Sequence, residues 1–258
     1  MPGYPWLSLT TDYGLSDGFV AACHGVVARI APAVRVIDVS HLIPPGDVAR
    51  GATVLAQTVG HLPPAVHVAV VDPGVGTARR GVALGTPGGV LVGPDNGLLP
   101  RAAEVLGGIV AAVELTSPEW FPEPSRTFHG RDVFAPAAAR FALGAALTEA
   151  GPAFDPATLV RLPEPVFVAG AGWLEAEVLT VDHFGNVQLA APGSALRRLG
   201  PVIRIGERRA VRGGTFGDAP PGDLVVFADS ADRLAVAVNG GRADALLGVT
   251  PGDVLRLE

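Results

Sequence analysis

The chain contains no lysine: all 19 of its basic residues are arginine. A Schiff base on a carbonyl substrate and a Walker-type phosphate loop both require lysine, so both are excluded. Cysteine is nearly as scarce. Cys23 stands alone among 258 residues, which excludes an internal disulfide and a cysteine-rich metal centre. Charge is thin at 17% of residues, and its balance of −6 argues against nucleic acid or an anionic membrane as partner while suiting a cationic small molecule. No apolar run reaches membrane-spanning length, and no charged stretch leads into an apolar one at the start. The expectation is a soluble, cytoplasmic protein. What is plentiful is apolar: 48% of residues are hydrophobic, enough for the core of one large domain or two modest ones.

The first half alternates strand and helix patterns. "WLSLTTDY", "VRVIDVS" and "AVHVAVVD" read as strands, with amphipathic helices in "DGFVAACHGVVARIAP" and "DVARGATVLAQTVGHL" between them. That order predicts a mainly parallel sheet covered by helices. "GVALGT" and "GVLVG" follow as a hairpin around Pro87-Gly88, then "GLLPRAAEVLG" and "DVFAPAAARFALG" as helices. A proline-rich stretch separates this half from a run of short strands with Gly, Asp or Pro between them. The expected organisation is an α/β domain over 1–155, a linker over 156–168 and an all-β barrel over 169–258.

Aspartates recur at the ends of the expected parallel strands. Asp12 follows the first and Asp72 the third, while Asp38 lies inside the second and suits a structural role. Ligands of open α/β sheets sit at the carboxyl ends of the strands, which puts Asp12 and Asp72 on one functional rim; capping a turn or helix is the alternative for Asp12. After Asp72 come Pro73, Gly74 and Gly76, a turn whose backbone can approach a ligand, and then Arg79 and Arg80, whose alternation sends one to the site and the other to solvent. His129 precedes a helix, with Gly130 leaving space beside it. A histidine near a carboxylate and an arginine can orient and deprotonate one water.

"GLSDG" around Ser16 matches G-x-S-x-G, and Asp72 and His129 follow it in the chain order of α/β-hydrolases. It comes after the first strand, however, so no upstream strand supplies the second oxyanion donor. In the β half, "VDHFGNVQL" brings Asp182, Phe184 and Asn186 together; they are ordinary turn residues, or a carboxylate, an aromatic face and an amide for an ammonium, a base plane and a base edge. Ser230 at a turn and "NGG" after the last long strand complete the set.

Taken in order and spacing, "TTDYGLSDGFVAACHG", "VIDVSHLIPPGDVARGA", "VVDPGVGTARR", "GPDNGLL", "RTFHGRDVFAP", "DHFGNVQL" and "LAVAVNGG" make the chain resemble the S-adenosyl-L-methionine hydroxide adenosyltransferases, relatives of the bacterial fluorinase and chlorinase. The resemblance implies an N-terminal α/β domain, a C-terminal β-barrel and a homotrimer that binds S-adenosylmethionine between the N-domain of one subunit and the C-domain of its neighbour. It implies hydrolysis to adenosine and L-methionine, with no metal and no cofactor beyond the substrate. The family's water-directing Asp, Arg and His fall on Asp72, Arg79 and His129, and its ribose-binding aspartate on Asp12. Its methionine- and adenine-contacting residues fall on Asp182 and Asn186, with Ser230 and the backbone near Val238 and Gly240 as further candidates. Gly130 stands where the fluorinase has serine, Gly46 where it has a substrate-packing tryptophan, and "GTPGGVLVG" is tight where it carries an inserted loop. These departures favour water over halide; a halogenase of the same fold and a non-catalytic adenosine-binding protein are the alternatives.

Overall fold

The computed structural model of the chain describes residues 3–258 and divides into two compact units that meet in sequence at Leu162 and Pro163. In the first unit the elements run β1 (Trp6–Thr11), α1 (Phe19–Ile30), β2 (Arg35–Ser40), α2 (Val48–Val59), β3 (Ala65–Val70), β4 (Gly81–Thr86), β5 (Gly89–Pro94), α3 (Pro100–Val105), β6 (Ala111–Glu114), a π-helical turn (Gly130–Phe134) and α4 (Ala135–Ala142). The sheet order is β2-β1-β3-β5-β4-β6. The pairs β1–β2, β1–β3 and β3–β5 are parallel, and β4 is antiparallel to both its neighbours.

The period of two along β3 explains how both faces of the sheet become buried. Val66, Val68 and Val70 enter the core beneath α1 and α4, whereas Ala69 and Val71 pack with Leu55 of α2 and Leu98 on the opposite face. Every residue of β3 and β5 is buried, as central parallel strands require. The expected hairpin is present, with Thr86 paired to Gly89 across Pro87-Gly88. Pro100 starts its helix rather than interrupting it, because the first helical position needs no N–H donor.

Chain order reverses between β1 and β3: β2 returns to one side of β1, and β3 is laid down on the other. This switch point lies at the carboxyl ends of the two strands, where Asp12 and Asp72 follow, the place at which open α/β sheets bind ligands.

The stretch expected as linker is shared between the units. Arg80 donates to the Thr158 carbonyl at 2.9 Å, and the Val160 N–H to Asp95 Oδ1 at 2.9 Å. Farther on, β7 (Phe167–Ala169) already pairs with β8 (Leu174–Val181). The second unit continues with β9 (Val187–Pro192), β10 (Val202–Ile205), β11 (Arg208–Arg212), β12 (Leu224–Ala228), β13 (Arg233–Val238), α5 (Ala243–Leu247) and β14 (Val254–Leu257). Pairing of β14 with β8 closes a barrel of seven strands, leaving no open edge on the ring. Alternate residues of β8, among them Leu174, Ala176 and Val178, fill its interior with Leu189, Ile203, Val226 and Val236.

Gly51 lets α2 lie directly on the strand end that carries Asp72: a Cβ there would stand 2.9 Å from both Val71 Cγ2 and Leu98 Cδ1. Gly51→Val therefore overpacks this contact. A loss of about 1–3 kcal/mol in the urea-unfolding free energy of this unit is expected, and unchanged stability would show that the helix can lift without cost.

Candidate functional site

Asp72 lies just beyond β3, where two overlapping turns form: the Val75 N–H donates to the Asp72 carbonyl (3.2 Å) and the Thr77 N–H to the Gly74 carbonyl (3.1 Å). These turns bring Arg79 back onto Asp72. Arg79 Nε donates to Asp72 Oδ1 at 2.9 Å, and Nη2 donates to Oδ2 to complete a two-point fork. The same Nη2 reaches His129 Nδ1 at 2.8 Å. Asp72 and Arg79 side chains are only 6% and 11% exposed, so the pair is held in a largely dry setting.

This geometry fixes the histidine's protonation pattern. A guanidinium offers only donors, so Nδ1 of His129 must accept, and the proton of the neutral ring sits on Nε2. Burial and the adjacent Arg79 charge hold the His129 pKa below its ordinary value, despite the opposing pull of Asp72 and Asp132. His129 in this state is a hydrogen-bond donor at Nε2. The carboxylate of Asp72 is the group beside it able to accept a proton.

Several supports missed by sequence reasoning hold this triad. Phe134, fully buried, backs both partners: the guanidinium of Arg79 lies 5.4 Å from its ring centre, and His129 meets it edge-on. Asn96 Nδ2 donates to the Val71 carbonyl at 2.8 Å, pinning the backbone next to Asp72. Asp132 accepts from the Ser125 N–H at 3.0 Å and folds the loop that presents His129. Pro136, which lacks an N–H, follows a π-helical turn whose closing bond runs from the Ala135 N–H to the Gly130 carbonyl. In the sequence these positions are marked only as parts of family motifs, Asn96 in "GPDNGLL" and Asp132, Phe134 and Pro136 in "RTFHGRDVFAP".

Three details differ from expectation. Arg80 does diverge from Arg79, yet it meets a buried carboxylate rather than solvent: Nε and Nη2 donate to Asp95 Oδ2 at 2.9 and 2.6 Å. Gly76 serves close approach to protein, since with φ of +78° its missing Cβ would lie 2.4 Å from the Arg126 carbonyl oxygen. The space beside Gly130 is taken by Tyr13, whose hydroxyl would stand 2.0 Å from a Cβ there. Burial raises the pKa of that phenol, so it stays protonated. Tyr13, Phe19 and Phe128 form an aromatic cluster with ring centres 5.3–6.1 Å apart.

Asp12 Oδ2 accepts the Gly46 N–H at 2.9 Å, and the Asp12 N–H points to the Val70 carbonyl at 3.4 Å. It thus ties the β1 rim to the Gly46 loop; α1 has Gly18 as its N-cap and no side-chain cap. Ser16 is exposed, and His129 and Asp72 are engaged by Arg79 instead of forming a serine relay.

In the barrel, Asp182, Phe184 and Asn186 share one turn. Asp182 Oδ1 accepts the N–H groups of Phe184 and Asn186, each at 2.9 Å, and Oδ2 accepts Asn186 Nδ2 at 2.7 Å. The Phe184 ring is left 72% exposed. Gly185 packs on Arg242 and Asp244, and its carbonyl accepts the Ala243 N–H at 3.0 Å, which seats the turn beside the segment carrying Val238 and Gly240. Ser230 is exposed in the Asp229–Arg233 turn; Gln188 Nε2 bonds Asp229 Oδ2 and links that turn to the strand following Asn186.

With these geometries in place, similarity to known proteins identifies the lineage. Residues 7–151 match the SAM hydroxide adenosyltransferase N-terminal domain and residues 176–256 the corresponding C-terminal domain. A protein of Salinispora arenicola named (R)-S-adenosyl-L-methionine hydrolase is 66% identical over 258 residues, covering 100% of this chain and 99% of the relative. One of the same name from Thermus thermophilus is 44% identical, covering 96% and 97%. A fluorinase from an Actinoplanes species is 30% identical, covering 92% of each. The crystal structure of an uncharacterized conserved protein from Thermotoga maritima superposes with a TM-score of 0.90 at 34% identity, covering 97% of this chain and 99% of that one. Two domain matches in sequence, near-complete coverage and one shared fold have a single reading: the chain belongs to the SAM hydroxide adenosyltransferase family.

Proposed function

We propose that the chain hydrolyses (R)-S-adenosyl-L-methionine to adenosine and L-methionine, with Asp72, Arg79 and His129 acting on the attacking water. The observation that carries this reading is the forked Arg79–Asp72 pair whose guanidinium also bonds His129 Nδ1. Water oxygen forms the new bond to C5′ as the C5′–S bond breaks. The bonding pair leaves with sulfur as a neutral thioether, and the water's proton passes to Asp72 and then to solvent. A sulfonium leaves without protonation, so the reaction needs neither a general acid nor a cofactor.

The roles divide accordingly. Asp72 accepts a hydrogen bond from water and takes its proton, His129 Nε2–H orients the oxygen, and Arg79 fixes both partners. Little general-base strength is needed because the leaving group is so good. Attack of neutral water on a sulfonium spreads the charge in the transition state, which a dry pocket favours. Alignment at near-attack distance contributes up to about 7–11 kcal/mol in the best intramolecular cases.

Asp12 takes the ribose diol. Asp182 has about four acceptor sites as a carboxylate and spends three on its turn, leaving one for the methionine ammonium. Asn186 spends its NH₂ on Asp182 and keeps its amide oxygen for the adenine amine. Phe184, Ser230 and the backbone near Val238 and Gly240 complete the substrate contacts. We further propose a cytoplasmic homotrimer with substrate between the α/β unit of one copy and the barrel of the next. Exposed apolar side chains at Leu15, Phe19 and Leu42 near the Asp12 rim, and at Phe184 beside Asp182, favour such burial. Light scattering is expected to give three times the 26.3 kDa chain mass, and a monomeric mass would overturn the shared site.

In chloride-free buffer, chromatography of reactions with each sulfonium epimer is expected to show adenosine from the (R) form. Asp72→Ala and His129→Ala should lower kcat by about 10²–10⁴ with little change in KM. A chlorinated nucleoside appearing only with chloride would instead assign a halogenase, and binding without turnover an adenosine-binding protein.

Since Nδ1 of His129 must stay unprotonated to accept from Arg79, activity requires the neutral ring. Its pKa is depressed, so the acid limb of kcat/KM should fall below the ordinary histidine value of about 6.5. A limb at or above that value would contradict this assignment.

A further inference from the structure

The β2 edge of the same sheet carries a second cluster, one that the hydrolysis does not use. His24 projects from α1, Asp38 from β2, and His41 follows β2 directly. His24 Nε2 lies 2.9 Å and His41 Nε2 3.0 Å from the same oxygen, Asp38 Oδ1. One ligand-type atom from each residue falls within 4.8 Å of the other two. Among the described residues no other three His, Cys, Asp or Glu side chains converge in this way.

His24 is hydrogen-bonded to Asp38 in good alignment, whereas the His41 contact with the same carboxylate is close but poorly aligned. The His41 side chain is 4% exposed, and its Nε2 is buried without a hydrogen bond although Asp38 Oδ1 is near. The other nitrogen, Nδ1, lies 2.8 Å from Thr11 Oγ1, which also accepts the Tyr13 N–H at 3.2 Å. A hydroxyl oxygen has two lone pairs, so in the tautomer with its proton on Nδ1 the ring donates to Thr11 and turns an unprotonated Nε2, the form a metal ion ligates, toward Asp38. In that tautomer the lone pair meets a carboxylate oxygen, which is repulsive while nothing lies between them. A cation shared by the two atoms makes the same arrangement attractive.

The donor set also selects the cation. Two imidazoles and one carboxylate suit zinc or a similar transition ion, whereas magnesium and calcium take oxygen ligands. Thr11 on the distal nitrogen is the outer contact that orients a ligating histidine. Side chains of His24 and Asp38 are 35% and 43% exposed, which leaves an entry path and room for water as a further ligand.

We propose that His24, Asp38 and His41 form a transition-metal site, with Zn²⁺ as the preferred ion, and that its role is structural. The metal joins α1 to β2 behind the loop that carries Asp12 and Tyr13. That loop already hangs on this residue, since the His41 carbonyl accepts the Gly14 N–H at 2.8 Å and its ring holds Thr11. The cluster sits on β2 and Asp72 beyond β3, two strand spacings or on the order of 10 Å apart, so the ion stands clear of the reacting atoms.

The test uses the full chain, stripped with EDTA, desalted and titrated with Zn²⁺ against a chromophoric chelator. One ion per chain is expected, with a Kd raised at least about tenfold in His24→Ala and again in Asp38→Asn, the smallest effect seen even for outer contacts. Both positions are partly exposed, which keeps the fold intact where His41→Ala removes a buried ring. Co²⁺ should give tetrahedral visible bands in the wild type that vanish in both variants. Less than one Zn²⁺ per chain, or tight binding that survives both substitutions together, would overturn the site and leave a hydrogen-bonded cluster only.

Discussion

One guanidinium organises the candidate site of this protein. Arg79 grips Asp72 through two nitrogens and holds His129 through one of them, so a single planar group fixes a carboxylate's position, an imidazole's tautomer and the local charge. Lysine, absent from the whole chain, presents a point charge and has no such fork. Breaking a pair buried this deeply typically costs about 3–5 kcal/mol, because the surviving partner keeps an uncompensated charge away from water. The structure around Arg79 is accordingly arranged to keep that bond from being broken.

That arrangement is mostly backbone geometry. Gly76 brings the Arg79 loop against the Arg126 carbonyl, and Gly130 admits the Tyr13 hydroxyl beside His129. Arg80, pointing the other way, is locked to Asp95, so adjacent arginines anchor both sides of one strand entry. Asn96 ties down Val71 from below. None of these groups belongs to the triad proposed to act on water; each removes a freedom from a group that does.

Much of this was legible in the sequence, for reasons that differ by element. The parallel strands announced themselves as short apolar stretches alternating with helical patterns, and Asp12 and Asp72 through their place at strand ends, because strand direction alone decides which rim they share. The divergence of Arg79 and Arg80 followed from the two-residue strand period. What stayed hidden depends on contacts distant in sequence: Asp95 as the partner of Arg80, Phe134 behind the triad, and Tyr13 in the space beside Gly130. A glycine advertises that something comes close without saying what. The edge cluster at Asp38 was legible only as structural, since β2 and α1 reveal their shared face only once folded.

The π-helical turn after His129 has a consequence for how this family can vary. Gly130–Phe134 contains one residue more than an α-helical turn would use over the same span. Each residue of an α-helix turns the chain by about 100°. Deleting one residue here would relax the turn to ordinary helix and swing everything before it by about that angle relative to α4, carrying His129 away from Arg79 with every side chain intact. The site is therefore encoded by a count as well as by residue identities, and a lineage can lose it by a single-codon deletion that leaves the triad's three letters unchanged.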